Sequence, residues 1–379
     1  MIWNTALRNM SAGSGCRRSA AGRRRGQGRR WIRPLTALAL ALTAVGTGVL
    51  AGGCAGSGEM SGSNGKASDN LSVDGKISVV TTIFPPYDFV REIAGDEVDL
   101  KMLLKPGEET HSYEPTPQDI IAIQNSDVFI YTGGENDVWV EDILSSMPET
   151  DMLTLRLADC VDTVEEERVE GMKGSAGHSH DEESGEEAHD GHAHAHGHEE
   201  ESVHEIDEHV WTSPVNASLI TEQIADTLSQ ADPSRSDLYR KNTLAYQEKL
   251  SDLDRRFREV ADSAKRNLLI FGDRFPFRYF ADEYGLDYYA AFPGCAGDTE
   301  PSAATMVFLI EKVREKKVPA VLKMELSNDD IANAVAEATG TEVKVFYSCH
   351  NLSADDFENK ETYLSMMQKN VETLKEVLN

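Results

Sequence analysis

The sequence predicts an α/β protein of two lobes with mainly parallel sheets, joined by one long helix. Short β-branched segments alternate with helical patterns between residues 76 and 157, and the alternation resumes between residues 267 and 379. Strands that alternate with helices indicate βαβ units and a parallel sheet. A stretch at 235–265 without Pro or Gly separates the two regions and is typical of a continuous helix.

The first lobe is expected to span about residues 76–230. Turn-forming residues separate its elements, as Gly133-Gly134 does after the third strand. The expected strands cover residues 77–83, 98–104, 127–132 and 151–157, and the expected helices cover residues 87–94, 117–125 and 138–147. A loop rich in His and acidic residues, at about 162–204, has the composition of a disordered segment, and we expect it to be disordered.

The linking segment is expected at residues 231–266. Asp232-Pro233-Ser234 supplies a helix start signal, and the apolar residues that follow fall at helical spacing. At 1.5 Å per residue the helix would be roughly 45 Å long, enough to run the length of two lobes. A local helical hairpin is the alternative, because few helices are that long.

The second lobe is expected at residues 267–379. It repeats the pattern of the first, with short apolar strands between amphipathic helices. The expected strands cover residues 267–272, 286–291, 320–324 and 342–347, and the expected helices cover residues 276–284, 302–316, 328–339 and 361–378.

Residues 1–53 predict a signal peptide. They hold nine Arg and no acidic residue, with an apolar run at 35–50 that is too short for a confident membrane span. Small residues then precede Cys54, an order that resembles the lipobox of bacterial lipoproteins and makes Cys54 the candidate lipid anchor. A plain cleaved signal without lipid and a twin-arginine signal are the alternatives. Residues 54–75 are rich in Gly, Ser and Asn, so we expect a flexible tether.

The charge of the remaining chain restricts its partners. The formal net charge is -28 for the whole sequence, and beyond the signal peptide 28 basic residues face 65 acidic ones. An excess of acid of this size argues against nucleic acid as a partner. It suits an exported protein that attracts cations.

Histidine is concentrated in one tract. Nine of the eleven histidines lie between residues 178 and 209, interleaved with acidic residues. Imidazole binds zinc and similar divalent metals, but a low-complexity tract does not preorganise one coordination geometry. We therefore expect an accessory metal-collecting loop that contains His178, His180, His189, His192, His194, His196, His198 and His204.

Four other residues are the candidates for a preorganised metal site. His111, Asp273 and His350 follow predicted strands, and His209 precedes a predicted helix start. Ligands of open α/β sheets bind outside the carboxyl ends of the strands, so these side chains are expected in the cleft between the lobes. Glu325 also follows a strand and is a reserve ligand, with a structural hydrogen-bonding role as the alternative.

Three motifs resemble those of a known family. HSYEPTPQD at 111–119, DEHVWTSP at 207–214 and YFADEYGL at 279–286 look like the metal-specific solute-binding proteins of ABC transporters, in particular zinc-uptake lipoproteins. The resemblance covers about residues 76–379. It implies a monomer that holds a buried metal between two lobes and delivers it to a permease in the cytoplasmic membrane. It also implies a lipid-anchored protein on the outer face of that membrane, or a periplasmic one if the lipobox is not used.

The resemblance also implies a ligand set. His111 and His209 match the family's ligands from the first lobe, and His350 matches the fourth ligand in kind. The family's third ligand precedes the YF motif, and counting back reaches Arg274, so Asp273 becomes the candidate with a shift of one residue. Three histidines and one carboxylate would form a closed, mostly nitrogen shell that favours Zn²⁺ over Mn²⁺.

Three cysteines remain beyond the lipobox. Cys295 and Cys349 each follow a predicted strand of the second lobe, and Cys349 adjoins His350. In an exported protein a disulfide between them would brace the ligand-carrying loop, and we expect that bond. Free thiols and zinc thiolates are the alternatives.

The sequence gives little support to function classes other than a zinc-binding transport protein. His204-Glu205 and His209 nearly form the HExxH motif of zinc proteases, but the two histidines are five apart and leave one helical face. The sequence also lacks a Gly-x-Ser-x-Gly motif, so a metallohydrolase is not expected and we expect no enzyme. A binding protein for manganese or another divalent metal, or an adhesin of the same fold, is the remaining alternative.

Overall fold

The computed structural model describes residues 75–109, 112–148, 150–172, 206–296 and 300–379. The expected signal peptide, the lipid-anchor candidate Cys54 and the tether up to residue 74 lie outside these ranges. Among the described residues, none of the helices combines the length and the apolar character that a bilayer crossing requires.

Strands and helices alternate through both lobes. The strands are β1 (Ile77–Thr81), β2 (Val98–Met102), β3 (Val128–Tyr131), β4 (Leu153–Arg156), β5 (Leu268–Phe275), β6 (Asp287–Pro293), β7 (Ala320–Lys323) and β8 (Glu342–Val345). The helices are α1 (Phe84–Ala94), α2 (Pro117–Gln124), α3 (Val138–Ser146), α4 (Pro214–Ala231), α5 (Ser236–Ser263), α6 (Arg278–Tyr284), α7 (Ala303–Lys316), α8 (Asp330–Thr339), α9 (Ala354–Glu358) and α10 (Tyr363–Leu378).

The strands form two four-stranded sheets, and the predicted fold class is confirmed. One sheet has the order β2-β1-β3-β4 and the other the order β6-β5-β7-β8, with parallel pairing throughout. The inner strands β3 and β5 are buried along their whole length, as expected where helices cover both faces of a parallel sheet. Each sheet therefore directs the carboxyl ends of its strands to one edge.

The two lobes are connected by α5. It is one uninterrupted helix of 28 residues, about 42 Å long, rather than a hairpin. Its side chains reach both lobes, since Lys249 pairs with Glu92 of α1 at 3.3 Å and Arg256 pairs with Glu372 of α10 at 3.3 Å. A rigid element thus spans the molecule from one lobe to the other.

Strand β5 extends further than the sequence predicts. The prediction ended it at residue 272, whereas it continues to Phe275 with a shift in register between Phe271 and Arg274. Asp273 accordingly lies within this irregular part of the strand, not after it. Asp273 and Arg274 are both more than nine-tenths covered, as the whole of β5 is buried.

Residues 162–172 also differ from expectation. The sequence predicts that they belong to the disordered loop, yet they lie against the second lobe. The Glu167 carboxylate accepts a hydrogen bond from the Tyr288 hydroxyl at 3.0 Å and pairs with Arg278 at 2.7 Å. Glu166 accepts the backbone N–H of Cys295 at 2.8 Å. Acidic composition suggested solvation, but polar and basic groups of the second lobe bind these carboxylates.

The chain that leaves this segment returns beside it. Glu165 and Ile206 form an isolated antiparallel bridge, and the N–H of Asp207 donates to the carbonyl of Val164 at 2.9 Å. Most of the expected His-rich loop lies between these two points, at residues 173–205, and falls outside the described residues.

The interface between the lobes is buried and hydrogen-bonded. A single apolar core contains residues from α1 and α4 of the first lobe, from α5, and from α6 and α10 of the second. Trp211 donates its indole N–H to the carbonyl of Ser348 at 2.8 Å, and its own carbonyl accepts the Tyr363 hydroxyl at 2.7 Å. Trp211 and Tyr363 are fully buried. The lobes are therefore packed against each other through buried contacts.

A buried carboxylate lies at the same interface. Asp88 of α1 accepts the backbone N–H of Tyr363 at 2.7 Å and pairs with Arg91, whose guanidinium also donates to the carbonyl of Glu361. Burial raises the pKa of Asp88 to about 6, because it outweighs the opposing effects of Arg91 and the Tyr363 N–H.

Replacing Tyr363 by Phe tests the hydrogen bond to Trp211. The substitution leaves the buried carbonyl without its donor, so we expect the free energy of unfolding to fall by about 1–2 kcal/mol. Urea denaturation followed by tryptophan fluorescence measures it. Tyr87→Phe is the matched control, since that half-buried ring packs on Phe357 and its hydroxyl has no hydrogen-bond partner among the described residues. Equal losses in the two variants would contradict the role of the bond.

Replacing Asp88 by Asn tests the pH dependence. The folded pKa of about 6 exceeds the ordinary 3.8, so the stability from this group is present below pH 4 and lost as pH rises through 6. From pH 4 to pH 8, wild-type stability should fall relative to Asp88→Asn by at most about 3 kcal/mol. Urea unfolding across this range measures it, with the exposed Asp237→Asn as control. Parallel pH profiles of wild type and Asp88→Asn would contradict the assignment.

Candidate metal centre

Three side chains converge between the lobes. Glu208, His209 and His350 each place one potential ligand atom within 4.8 Å of the other two. They are 2%, 0% and 8% exposed, respectively. Two imidazole nitrogens and a carboxylate oxygen at this separation can bind a single metal ion. His209 and His350 were predicted as ligands, and the structure brings them together.

His209 is positioned by the turn that begins α4. Its carbonyl accepts the N–H and the hydroxyl of Thr212, which closes a single helical turn. The Ser213 hydroxyl then accepts the N–H of Asn216, and Pro214 occupies the first helical position, so α4 starts at a defined residue. The HVWTSP sequence thus fixes the backbone that carries the imidazole.

Asp207 orients the His209 ring. Its Oδ1 lies 2.8 Å from Nδ1 of His209 and 2.9 Å from the His209 backbone N. A proton on Nδ1 makes Nε2 the lone-pair nitrogen of the neutral ring, which is the form that binds a metal. Burial by itself lowers the pKa of His209, but Asp207, with Glu208 and Glu166, raises it above its ordinary value.

His350 is carried by a strained turn after β8. Cys349 has φ +59°, in the left-handed region that non-glycine residues rarely adopt. The Glu325 carboxylate stabilises the turn, since it accepts the N–H of Ser348 at 2.7 Å and its hydroxyl at 2.9 Å. The Ser348 hydroxyl in turn accepts the N–H of His350 at 3.2 Å. Burial raises the pKa of Glu325 to about 7.

Aromatic packing holds the two imidazoles in contact. The rings of His209 and His350 are nearly perpendicular, with centroids 4.9 Å apart. The indole of Trp211 lies 5.6 Å from the first ring and 4.8 Å from the second. The Trp211 ring of the first lobe thus contacts His209 in its own lobe and His350 in the second lobe.

Glu208 is the member that the sequence reasoning missed. Its carboxylate accepts the backbone N–H of Asn136 at 3.2 Å and also the Asn136 side-chain amide. A Cβ at Gly134 would overlap this carboxylate, so the close approach requires glycine. The available signal was its position beside His209 in the DEHVW motif, whereas Asn136 lies too far away in sequence to be associated with it.

Asp273 is not part of this cluster. Its carboxylate accepts the N–H of Met324 at 2.9 Å, the N–H of Arg274 at 2.8 Å and the hydroxyl of Ser327. The pKa of Asp273 is raised above its ordinary value, because the effect of burial outweighs the opposing effect of these hydrogen bonds. The side chain therefore joins β5 to the turn after β7, where it has a structural role.

Arg274 lies beside the centre and points across the cleft. It is buried, and its Nη1 pairs with Glu109 Oε1 at 2.7 Å, so it joins β5 to the loop after β2. A cavity of about 40 Å³ adjoins it, with Glu325, Ser348 and His350 on the wall.

Several predicted residues lie outside the described ranges. His111, whose loop is described up to Glu109 and from Ser112, is one of them. The others are Cys54 and the accessory histidines His178, His180, His189, His192, His194, His196, His198 and His204.

The expected disulfide between Cys295 and Cys349 is wrong. Both residues are free thiols, as is Cys160. The two side chains lie in different surroundings. The charges of Glu208 and Glu166 influence the Cys295 thiol, whereas those of Glu325 and Asp88 influence the Cys349 thiol. Burial raises the pKa of both thiols, which disfavours the thiolate form.

Similarity to known proteins extends over both lobes. The family ZnuA, described as zinc-uptake complex component A periplasmic, matches residues 79–377. The zinc-binding lipoprotein AdcA of Streptococcus pneumoniae is 33% identical over 310 residues, covering 82% of this chain and 57% of that protein. The high-affinity zinc uptake system protein ZnuA of Bacillus subtilis is 29% identical over 317 residues, covering 83% and 92% of the two chains.

A solved structure gives the same result. The Zn(II)-bound ZnuA-like domain of Streptococcus pneumoniae AdcA superposes with a TM-score of 0.62 and 29% identity, covering 80% of this chain and 99% of that one. The chain spans only about half the length of the full streptococcal AdcA proteins. The match to residues 79–377 nevertheless takes in both lobes and the linking helix, and the chain belongs to the ZnuA family.

Proposed function

We propose that this protein captures zinc outside the cell and passes it to an ABC-type permease in the cytoplasmic membrane. The observation that carries the proposal is the buried cluster of Glu208, His209 and His350 between the lobes. Two nitrogen ligands with one oxygen suit Zn²⁺ better than Mn²⁺, which prefers more oxygen. The family match and the zinc-binding relatives support the same conclusion.

The proposed ligand set is Glu208, His209 and His350, with His111 as the fourth member. The described part of the loop before His111 contacts the second lobe, because Glu109 pairs with Arg274. Asp273 and Glu325 are assigned structural roles, since hydrogen bonds to neighbouring turns engage both carboxylates. A shell of four protein ligands has no open position for a reactive water, which supports binding rather than catalysis.

Location and organisation form part of the proposal. We assign residues 1–53 to a signal peptide, 54–75 to a tether with a lipid anchor at Cys54, and 76–230 and 267–379 to the two lobes. Relatives described as lipoproteins or as periplasmic components support a position outside the cytoplasm. The lipid would keep the protein close to its permease. We also propose that the protein is a monomer.

The His-rich tract is proposed to be an accessory collector of zinc. The chain before the tract and the chain after it pair at the bridge between Glu165 and Ile206, directly before Asp207-Glu208-His209. Ions bound by the tract would therefore be near the buried cluster. The acidic residues at 165–167 add negative charge at the same place.

His209→Ala should abolish the high-affinity site, because it removes one nitrogen ligand from the cluster. Deleting residues 178–198 should leave one high-affinity site per chain and remove only weak additional binding. Titration of metal-free protein with zinc against a competing chelator measures both variants. Loss of the tight site on deletion, with His209→Ala unaffected, would transfer the proposed site to the tract.

Glu208→Gln should raise the zinc dissociation constant at least about 10-fold. The amide can keep a hydrogen bond with Asn136 but supplies no anionic oxygen to the metal. Glu167→Gln is the matched control, since it removes one acidic charge from the lobe interface without touching the cluster. The chelator competition assay reports both constants. An unchanged constant in Glu208→Gln would leave the carboxylate outside the coordination shell.

A further inference from the structure

Asn351 joins the two loops that lead to His350 and His111. It directly follows His350 and is 2% exposed. Its Nδ2 donates to the carbonyl of Lys105 at 2.8 Å and to the carbonyl of Glu108 at 2.9 Å. Both acceptors lie in the first lobe, after β2, whereas Asn351 belongs to the second lobe. A carboxamide nitrogen has two N–H groups, and both are used across the interface.

The loop that receives these bonds is a compact turn. The N–H of Glu108 donates to the carbonyl of Lys105 at 3.0 Å, and the Glu108 carboxylate accepts the N–H of Lys105 at 3.2 Å. Gly107 within the turn has φ +85°, a conformation that favours glycine. The carbonyls of Lys105 and Glu108 thus belong to one hydrogen-bonded turn, and the Asn351 side chain binds that turn.

Two further contacts hold the turn against the second lobe. The N–H of Gly107 donates to the carbonyl of Leu352 at 2.8 Å. Glu109, two residues before His111, pairs with the buried Arg274. The Asn351 Oδ1 also accepts the N–H of Leu352 at 2.9 Å, which fixes the orientation of its amide. These contacts lie beside His350, so the loop before His111 cannot shift without breaking them.

We propose that Asn351 is a positioning residue that sets the separation of the His350 turn and the 105–109 turn, and thereby the residence time of the metal. The inference rests on the proposed zinc site. Opening of the cleft on this side requires both amide hydrogen bonds of Asn351 to break. These two bonds, which we call the clamp, therefore oppose metal release. A side chain that is shorter or lacks the two donors cannot bridge the two carbonyls.

The test uses Asn351→Ala and Asn351→Ser, in the full mature chain. The serine variant keeps a polar group of small volume, in case the alanine variant folds poorly. Asn242→Ala is the matched control, because its Nδ2 makes a comparable bond of 2.9 Å, from α5 to the carbonyl of Ile93, away from the metal cluster. Circular dichroism melting establishes that each variant is folded.

The first readout needs no metal. Hydrogen exchange of metal-free protein should show faster exchange of the Gly107 amide, and of the peptide covering residues 105–109, in both Asn351 variants. The expected increase is about 10-fold or more, from the loss of two hydrogen bonds. Asn242→Ala should leave this peptide unchanged. Wild-type exchange at 105–109 in folded Asn351 variants would overturn the clamp, whatever the zinc result.

The second readout is metal release and geometry. We expect Asn351→Ala and Asn351→Ser to release zinc to a chelator about 10-fold faster than wild type and Asn242→Ala. The visible spectrum of the Co²⁺-substituted protein should change in the Asn351 variants alone, because it reports the coordination shell. Wild-type release and spectra in these variants would overturn the positioning role. Absence of tight binding in wild type would instead overturn the proposed function, and the positioning role with it.

Discussion

The packing of the two lobes against each other depends on Trp211. Its indole N–H donates to the carbonyl of Ser348, its carbonyl accepts the Tyr363 hydroxyl, and its ring packs on His209 and His350. One side chain from the first lobe therefore fixes the backbone of the turn that carries a candidate ligand of the second. Because the contacts are buried, they are strong in a low-dielectric environment and costly to leave unpaired. The ligand geometry is thus a consequence of lobe packing.

The electrostatics of the centre balance proton and metal binding. Asp207 keeps the proton on Nδ1 of His209, and the surrounding carboxylates raise its pKa even though burial lowers it. In the proposed site, a divalent cation that binds the ring would displace any second proton, so metal binding would be linked to proton release. In the proposed zinc site, the buried Glu208 would supply negative charge that compensates the ion. The acidic composition of the chain has a specific local use here.

Local patterns in the sequence predicted most of the fold, whereas contacts between distant residues escaped them. Alternating apolar segments located the strands because buried parallel strands need continuous apolar character. The DEHVWTSP motif and the position of His350 after the last predicted strand pointed to two members of the buried cluster. Glu208 was missed because Asn136, far away in sequence, holds its carboxylate. Asp273 was expected after β5 rather than within it, because the register shift in β5 has no local signature in the sequence. The expected disulfide was wrong because Cys295 and Cys349 lie in different surroundings, which strand positions alone do not reveal.

Because Glu165 and Ile206 are bridged, the length of the histidine tract between them need not affect the geometry of the Glu208, His209 and His350 cluster. The bridge joins the ends of the intervening chain, so adding or removing residues there changes mainly the entropy of loop closure, which varies slowly with length. Selection could therefore lengthen, shorten or recompose the tract in response to zinc supply at small cost to the folded lobes. Under the proposed function, the zinc capacity of the tract and the zinc affinity of the buried cluster would then evolve as independent traits.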